Sequence, residues 1–268
     1  MRFDDMPANL DKWTSGSAYD RWMGRWSRLL AEPFLQWLDI PPGARWLDVC
    51  CGSGVVTEAI AEGCSPGSIV GIDASAPQIA FANEHRKRPG ISFEVGDAAA
   101  IPFPDASFDV AVCGLGLNYM AEPARALQEM QRVTMAEGVI AAYVWDYAEG
   151  AGFLRRFWDA AASVDPEAVH FDQAQRFPMC TPEGLRKLLQ DAHCKNIEVT
   201  ALEITTRFEN FAEYWTPLLS GQGSAPNYLG SRSEDIRAEI RERLKSSFEA
   251  DKAIELPARA WAVRGNRP

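Results

Sequence analysis

The chain has 268 residues, 47% of them hydrophobic, and a formal net charge of -10 at pH 7. That is enough apolar material for one large α/β domain with a cap, but no run approaches the roughly 18 uncharged apolar residues of a spanning helix. Residues 1–5 lack the basic-then-apolar order of a signal peptide, so a cytoplasmic protein without a membrane partner is expected. The acidic balance also opposes a phosphate backbone, whose affinity rests on Lys and Arg displacing counterions, so nucleic acid is not an expected partner.

From Ala44 onward, short β-rich runs alternate with helical stretches, the pattern of a mainly parallel sheet covered by helices on both faces. Ala44 to Cys50 reads as the first strand, Gly54 to Glu62 as a helix, and Ser68 to Asp73 as a second strand ending at a turn. Ser75 is a candidate N-cap for a helix running to about Lys87. Ile91 to Asp97 alternates apolar and polar residues as a third strand, and Phe108 to Leu115 is apolar enough for a fourth buried on both faces. Pro123 opens a further helix, Gly138 to Asp146 is a fifth strand, Thr181 to Cys194 a helix, and Ile197 to Phe208 a sixth strand. Glu255 to Arg264 closes the series, with Leu256, Ala258, Ala260 and Ala262 on one face.

Three segments stand outside this alternation: residues 1–43, about 147–180 and about 209–254. We expect the first to be an N-terminal helical cap segment, and residues 44–268 to form a Rossmann-like domain carrying the other two as cap insertions. Trp22, Trp26 and Leu29 recur at helical spacing, which favours packing over ligand contact. Phe208, Phe211, Tyr214 and Trp215 precede a turn-rich run from Ser220 to Pro226, read here as a mobile lid loop. The six cysteines, at 50, 51, 64, 113, 180 and 194, show no C-x-x-C spacing, which predicts free thiols and no metal site.

The strongest chemical signal runs from Asp48 to Gly54, at the junction of the first predicted strand and its helix. Glycine there lets the backbone approach a ligand, and the helix presents free N–H groups with the positive end of its dipole. Asp73 ends the next strand, where an acidic side chain grips ribose hydroxyls in this type of fold. A nicotinamide dinucleotide fingerprint needs G-x-G-x-x-G, and the run from Gly52 through Gly54 reaches Thr57 where the third glycine belongs.

These residues together resemble the motifs of class I S-adenosylmethionine (SAM)-dependent methyltransferases, especially the ubiquinone and menaquinone biosynthesis methyltransferase-like (type 11) group. The resemblance covers about Ala44 to Asp146. Leu47 to Gly54 is similar to the first motif, Gly71 to Asp73 to the ribose-binding acid, and Gly96 to Ala98 with Ile101 to Phe103 to the adenine-side motif. Phe108 to Leu115 is similar to the fourth motif, and Arg132 to Gly138 to the turn before strand five. The departures are Cys50, where the group often has Gly, and Ala136 with Glu137 in place of Pro-Gly. The resemblance implies a seven-stranded, mostly parallel sheet with its last strand antiparallel, and SAM as cofactor. It implies cofactor contacts from Asp48, Gly52, Ser53, Gly54, Asp73, Ala74, Asp97, Ala98 and Gly114. Tyr19 is similar to a tyrosine that some members place over SAM, with a packed core tyrosine as the alternative.

Methyl transfer from a sulfonium depends chiefly on in-line positioning in a dry site, so no dedicated acid–base pair is required. A phenolic, thiol or amine acceptor still loses a proton, and the candidate groups are His170 in the cap and Asp146 and Tyr147 at the end of strand five. His85 and His193 read as surface or capping residues. The expected reaction is methylation of a small molecule, phenolic or quinone-like. The alternatives are a SAM-binding protein of other chemistry and a nicotinamide-dependent oxidoreductase.

Overall fold

The computed structural model describes residues 20–219, 223–249 and 252–268. Tyr19 and residues 220–222 of the expected lid loop lie outside the described residues. A π-helical turn, Asp20–Gly24, leads into helix α1 (Arg25–Leu38). β1 (Arg45–Val49), α2 (Val55–Gly63), β2 (Ser68–Asp73), α3 (Ala76–His85), β3 (Ile91–Val95) and β4 (Phe108–Gly114) follow. Then come α4 (Pro123–Val133), β5 (Thr134–Trp145), α5 (Gly152–Val164), α6 (Gln173–Arg176), α7 (Pro182–Asp191) and β6 (Lys195–Phe208). Short helices α8 (Phe211–Trp215) and α9 (Ser224–Gly230), helix α10 (Glu234–Ser246) and β7 (Ile254–Asn266) complete the described chain.

The seven strands form one sheet in the order β3-β2-β1-β4-β5-β7-β6. Strands β1 to β5 pair in parallel, and β7 runs antiparallel to β5 from Val139↔Asn266 to Trp145↔Ala260. The order reverses at β1 and β4, the switch point whose carboxyl ends hold ligands in open α/β sheets. Burial along β1 and β4 is nearly continuous, as expected of parallel strands covered on both faces. Among the described residues, no helix is long and apolar enough to cross a membrane.

The chain divides into two compact units. The larger contains described residues 20–145, 179–202 and 260–268; the smaller contains 146–178, 203–219, 223–249 and 252–259. In the larger unit, α1 turns Trp26, Leu30, Phe34 and Leu38 inward at helical spacing, and Phe34 meets Tyr143 of β5 with ring centroids 4.7 Å apart. Leu29, expected on the same face as Trp22 and Trp26, is instead 47% exposed, because the buried row runs through Leu30. Arg264 of β7 donates to the last carbonyls of this helix, Trp37 at 3.0 Å and Leu38 at 3.1 Å, and so caps its negative end.

The smaller unit has its own aromatic core. Phe153, Phe157, Trp158, Phe208, Tyr214 and Tyr228 are almost fully buried there. Their polar ends are satisfied: Trp158 Nε1 donates to Gln173 Oε1 at 2.6 Å, Tyr228 to Asp165 Oδ2 at 2.9 Å, and Tyr214 to the Phe153 carbonyl. Arg232 pairs with Asp165 at 3.0 Å and lies over the Phe171 and Tyr228 rings. These rings make the interior of this unit, which accounts for the aromatic richness of the segment. Ser224 to Pro226, read from sequence as loop, form the first turn of α9, since Gly223 at φ 85° starts the helix and proline is tolerated in a first turn.

Candidate functional site

The connection between β1 and α2 carries three residues in left-handed conformation: Cys50 at φ 57°, Gly52 at 53° and Gly54 at 84°. Gly54 has no room for another residue, because a Cβ there would stand 2.8 Å from the Phe93 ring of β3. The tight turn is closed by Gly54 N–H donating to the Cys51 carbonyl at 2.8 Å and tied to the sheet by Cys51 N–H donating to Ile72 at 3.0 Å. Asp73, at the end of β2, accepts from Gly52 N–H through Oδ2 at 2.9 Å and from Ser75 N–H through Oδ1 at 2.8 Å. Ser75 stands in the N-cap position, but its side chain makes no capping bond; its amide orients Asp73 instead. Each Asp73 oxygen keeps a lone pair after these bonds. Burial pushes its carboxyl above the ordinary range, opposed by the two amide donors.

Asp48 is fully buried at the end of β1. Its Oδ2 accepts from Thr57 Oγ1 at 2.6 Å, while Oδ1 has no partner. Desolvation raises its pKa from 3.8 to about 7, against the lowering effect of the Thr57 bonds. Thr57 occupies the place where a dinucleotide fingerprint would have its third glycine, and its hydroxyl is committed to Asp48. Ser53 Oγ is likewise buried without a partner. Orphaned polar atoms of this kind are rare in native interiors and call for a ligand or water.

The neighbouring strand end supplies the next residues. Gly96 N–H donates to the Asp73 carbonyl at 3.1 Å, and Asp97 folds its own turn through Ala99 N–H to Oδ1 at 2.8 Å, with Ala98 buried beside it. Gly114 ends β4, where a Cβ would stand 2.8 Å from both Tyr143 Oη and Val56 Cγ2. Its want of a side chain is thus explained by packing. Gly114→Ala is expected to cost about 1–3 kcal/mol through overpacking, read as a lower midpoint in denaturant unfolding at unchanged slope.

The structure thus brings Asp48, Gly52, Ser53, Gly54 and Asp73 around one loop, with Ala74 following Asp73, Asp97 and Ala98 one strand further along the sheet, and Gly114 at the end of β4. Asp146, Tyr147 and His170 belong to the smaller unit. Asp146 is committed: Arg259 donates to its Oδ2 from Nε at 2.8 Å and Nη2 at 2.6 Å, and Glu149 N–H to Oδ1 at 3.1 Å. Tyr147 is buried with its ring against Phe177, and His170 is half-buried at the end of the 3₁₀ turn Pro166–His170. Among the described residues, no group of three or more His, Cys, Asp or Glu is arranged to hold a metal, and all six cysteines are free.

Two arginines support the site: Arg86, which the sequence does not mark, and Arg132, which opens the motif before strand five but carries no role there. Arg86 is buried; its Nη1 donates to the Ser53 carbonyl at 2.7 Å and its Nε to Glu58 at 3.0 Å, bracing the loop from behind. Arg132 donates to the carbonyls of Ile101 and Phe103, each at 2.8 Å, and to Glu129 and Asp105, which fixes the segment after Asp97. The Arg132 guanidinium holds the Glu129 carboxyl below its usual range. Arg86 follows His85 in a charged run at a helix end, where sequence alone suggests solvated charge. Nothing local marks it as buried.

The sheet order and the antiparallel seventh strand, with the glycine turn beside Asp73, are those of the class I methyltransferase fold. A methyltransferase domain family matches residues 47–142. The 2-phytyl-1,4-naphtoquinone methyltransferase of Thermosynechococcus vestitus is 32% identical over 178 residues, 61% of this chain and 78% of that protein. The chain belongs to this SAM-dependent methyltransferase family, of type 11. The demethylmenaquinone methyltransferase of Renibacterium salmoninarum is 39% identical over 114 residues, but the match spans only 42% of this chain and 45% of that protein. In fold the chain is similar to the phosphoethanolamine N-methyltransferase 2 of Haemonchus contortus solved with S-adenosylhomocysteine (SAH), at TM-score 0.57 and 16% identity over 94% of this chain and 57% of that one. It is also similar in fold to the [4+2]-cyclase SpnF, at TM-score 0.53 and 22% identity over 90% of this chain and 80% of that one.

The family's cofactor is SAM, and the residues present fit it. Asp73 offers two oxygens to vicinal hydroxyls, and the orphaned Asp48 Oδ1 and Ser53 Oγ suit the charged and polar groups of a methionine end.

Proposed function

We propose that this protein, in the cytoplasm, methylates a small planar acceptor of the phenol or quinol type. The observation that carries the acceptor class is the 32% identity to a naphthoquinone methyltransferase across 78% of that protein's length. The net charge of -10 supports a neutral small molecule over nucleic acid. SAM, when bound, supplies an electrophilic methyl group. The chain's part is to bind and orient. Asp73 holds the ribose with Ala74 alongside, Gly52, Ser53, Gly54 and Asp48 hold the methionine end, and Asp97 and Ala98 hold the adenine. Gly114 closes the packing beneath, and Tyr19 is the candidate to cover the cofactor. Positioning of this kind supplies the larger part of the acceleration for a two-reactant displacement. An acceptor hydroxyl must lose a proton. With Asp146 tied to Arg259, His170 is the first candidate to take it and Tyr147 the second.

Labelled SAM should be offered with naphthoquinols, simple phenols, amines, thiols, tRNA and a protein extract. Label is expected in the ring compounds, at a rate that saturates with acceptor. Label confined to tRNA or protein would overturn the small-molecule reading. Label in amines or thiols alone would overturn only the ring.

A further inference from the structure

The turn that follows β4 has two peculiarities that packing does not explain. Leu115 adopts φ 58°, a left-handed conformation costly for a branched side chain, and is held there by its N–H donating to the Tyr143 carbonyl at 2.8 Å. Three residues on, in the 3₁₀ turn Leu117–Tyr119, Asn118 is 6% exposed, yet neither its Nδ2 nor its Oδ1 has a partner. A carboxamide buried with both ends unsatisfied costs stability, and interiors keep such a group only when something else requires it. The turn lies against the cofactor loop: a Cβ at Gly116 would stand 2.6 Å from Cys50 Cβ, and Tyr119 N–H donates to the Gly116 carbonyl at 3.0 Å. Strain and an orphaned amide therefore coincide at the carboxyl end of β4, one strand from Asp48 and Ser53, where such sheets place their ligands.

We infer that Asn118 is a positioning residue for the methyl acceptor, its Nδ2 donating to a ring oxygen and so fixing which ring atom faces the methyl group. This assignment rests on the quinol-type acceptor proposed above. A carboxamide suits the task because it donates without carrying charge, and so serves a phenolic oxygen in either protonation state. Asp48 and Ser53, by contrast, are kept for the cofactor, so Asn118 should matter for one ligand and not the other.

The test uses N118A and N118D, with SAH affinity by calorimetry, melting temperature, and kinetics with a short-chain prenylated naphthoquinol. SAH affinity is expected to stay within about twofold of wild type in both variants. KM for the naphthoquinol should rise tenfold or more in N118A and further in N118D, which exchanges the donor for a charged acceptor. The melting temperature of N118A should not fall, since the substitution removes an unsatisfied buried group. A melting temperature that drops with unchanged KM overturns the inference and makes Asn118 structural. SAH affinity that falls in step with KM overturns it too, by placing Asn118 in the cofactor cradle. A wild-type protein that binds SAH but methylates no naphthoquinol overturns the acceptor reading and this assignment with it. Turnover by wild type and N118A with equal KM overturns the assignment alone.

Discussion

Asp73→Ala should weaken SAH binding by at least 100-fold, measured by calorimetric titration. Two charge-assisted hydrogen bonds to ribose hydroxyls are worth roughly 1.5–3 kcal/mol each, which together correspond to about 10²–10⁴ in affinity. The same carboxylate also accepts the Gly52 and Ser75 N–H groups, so alanine leaves both amides without their acceptor and loosens the loop. Asp73→Asn separates the two effects, because the carboxamide oxygen retains one acceptor while the charge is lost. An intermediate loss is expected. An unchanged dissociation constant in Asp73→Ala would remove Asp73 from the ribose site.

Asp48 should make the stability of the free protein fall as pH rises from about 4 to about 7. Its folded pKa is about 7 against 3.8 for the exposed group, so the fold favours the protonated form. For a carboxyl raised in the folded state, the stabilising contribution is complete below the unfolded pKa and is lost as pH climbs through the folded one. A difference of about three pKa units corresponds to about 4 kcal/mol at most. Asp109 beside Arg45 and Glu129 beside Arg132 are shifted the other way, so the measurement is the difference between wild type and Asp48→Asn across pH. Asp48→Asn keeps an acceptor for Thr57 and cannot ionise, so it should gain on wild type as pH rises. With Asp48 facing the cationic methionine end as proposed, saturating SAH should reduce that gain, because a neighbouring cation favours the carboxylate. Parallel stability curves for the two proteins would contradict the buried-acid assignment.

The regular part of the fold was legible because its cues are local. β2 has the limits expected, Ser68–Asp73, where a short apolar run meets a turn, and α4 begins at Pro123 as proline at a first turn predicts. Boundaries drifted where tertiary context decides. β5 begins at Thr134, four residues ahead of the expected Gly138, and its register against β4 shifts between Phe108 and Val110, an irregularity with no signature in the run. In the site, Gly54 and Asp73 could be read from their spacing, whereas Arg86 and Arg132 act on carbonyls 29 to 33 residues away in sequence. Ion pairs and carbonyl contacts at that range leave no periodic mark. Asn118 was missed for the same reason in reverse, since a polar residue in a turn looks ordinary until its burial is known.

The sheet order bears on how the chain is made. β7 lies between β5 and β6 although it follows both in sequence. As the polypeptide leaves the ribosome, β1, β2, β3, β4 and β5 can assemble in turn, each after the first finding a neighbour already present. β6 then emerges before its native neighbour β7, and waits through the whole of α8 to α10. During that interval β5 presents an open edge and β6 is unpaired, the two features that invite pairing with another nascent chain. β7 therefore seals both at once, so the vulnerability to aggregation is concentrated in the interval between the synthesis of β5 and that of β7.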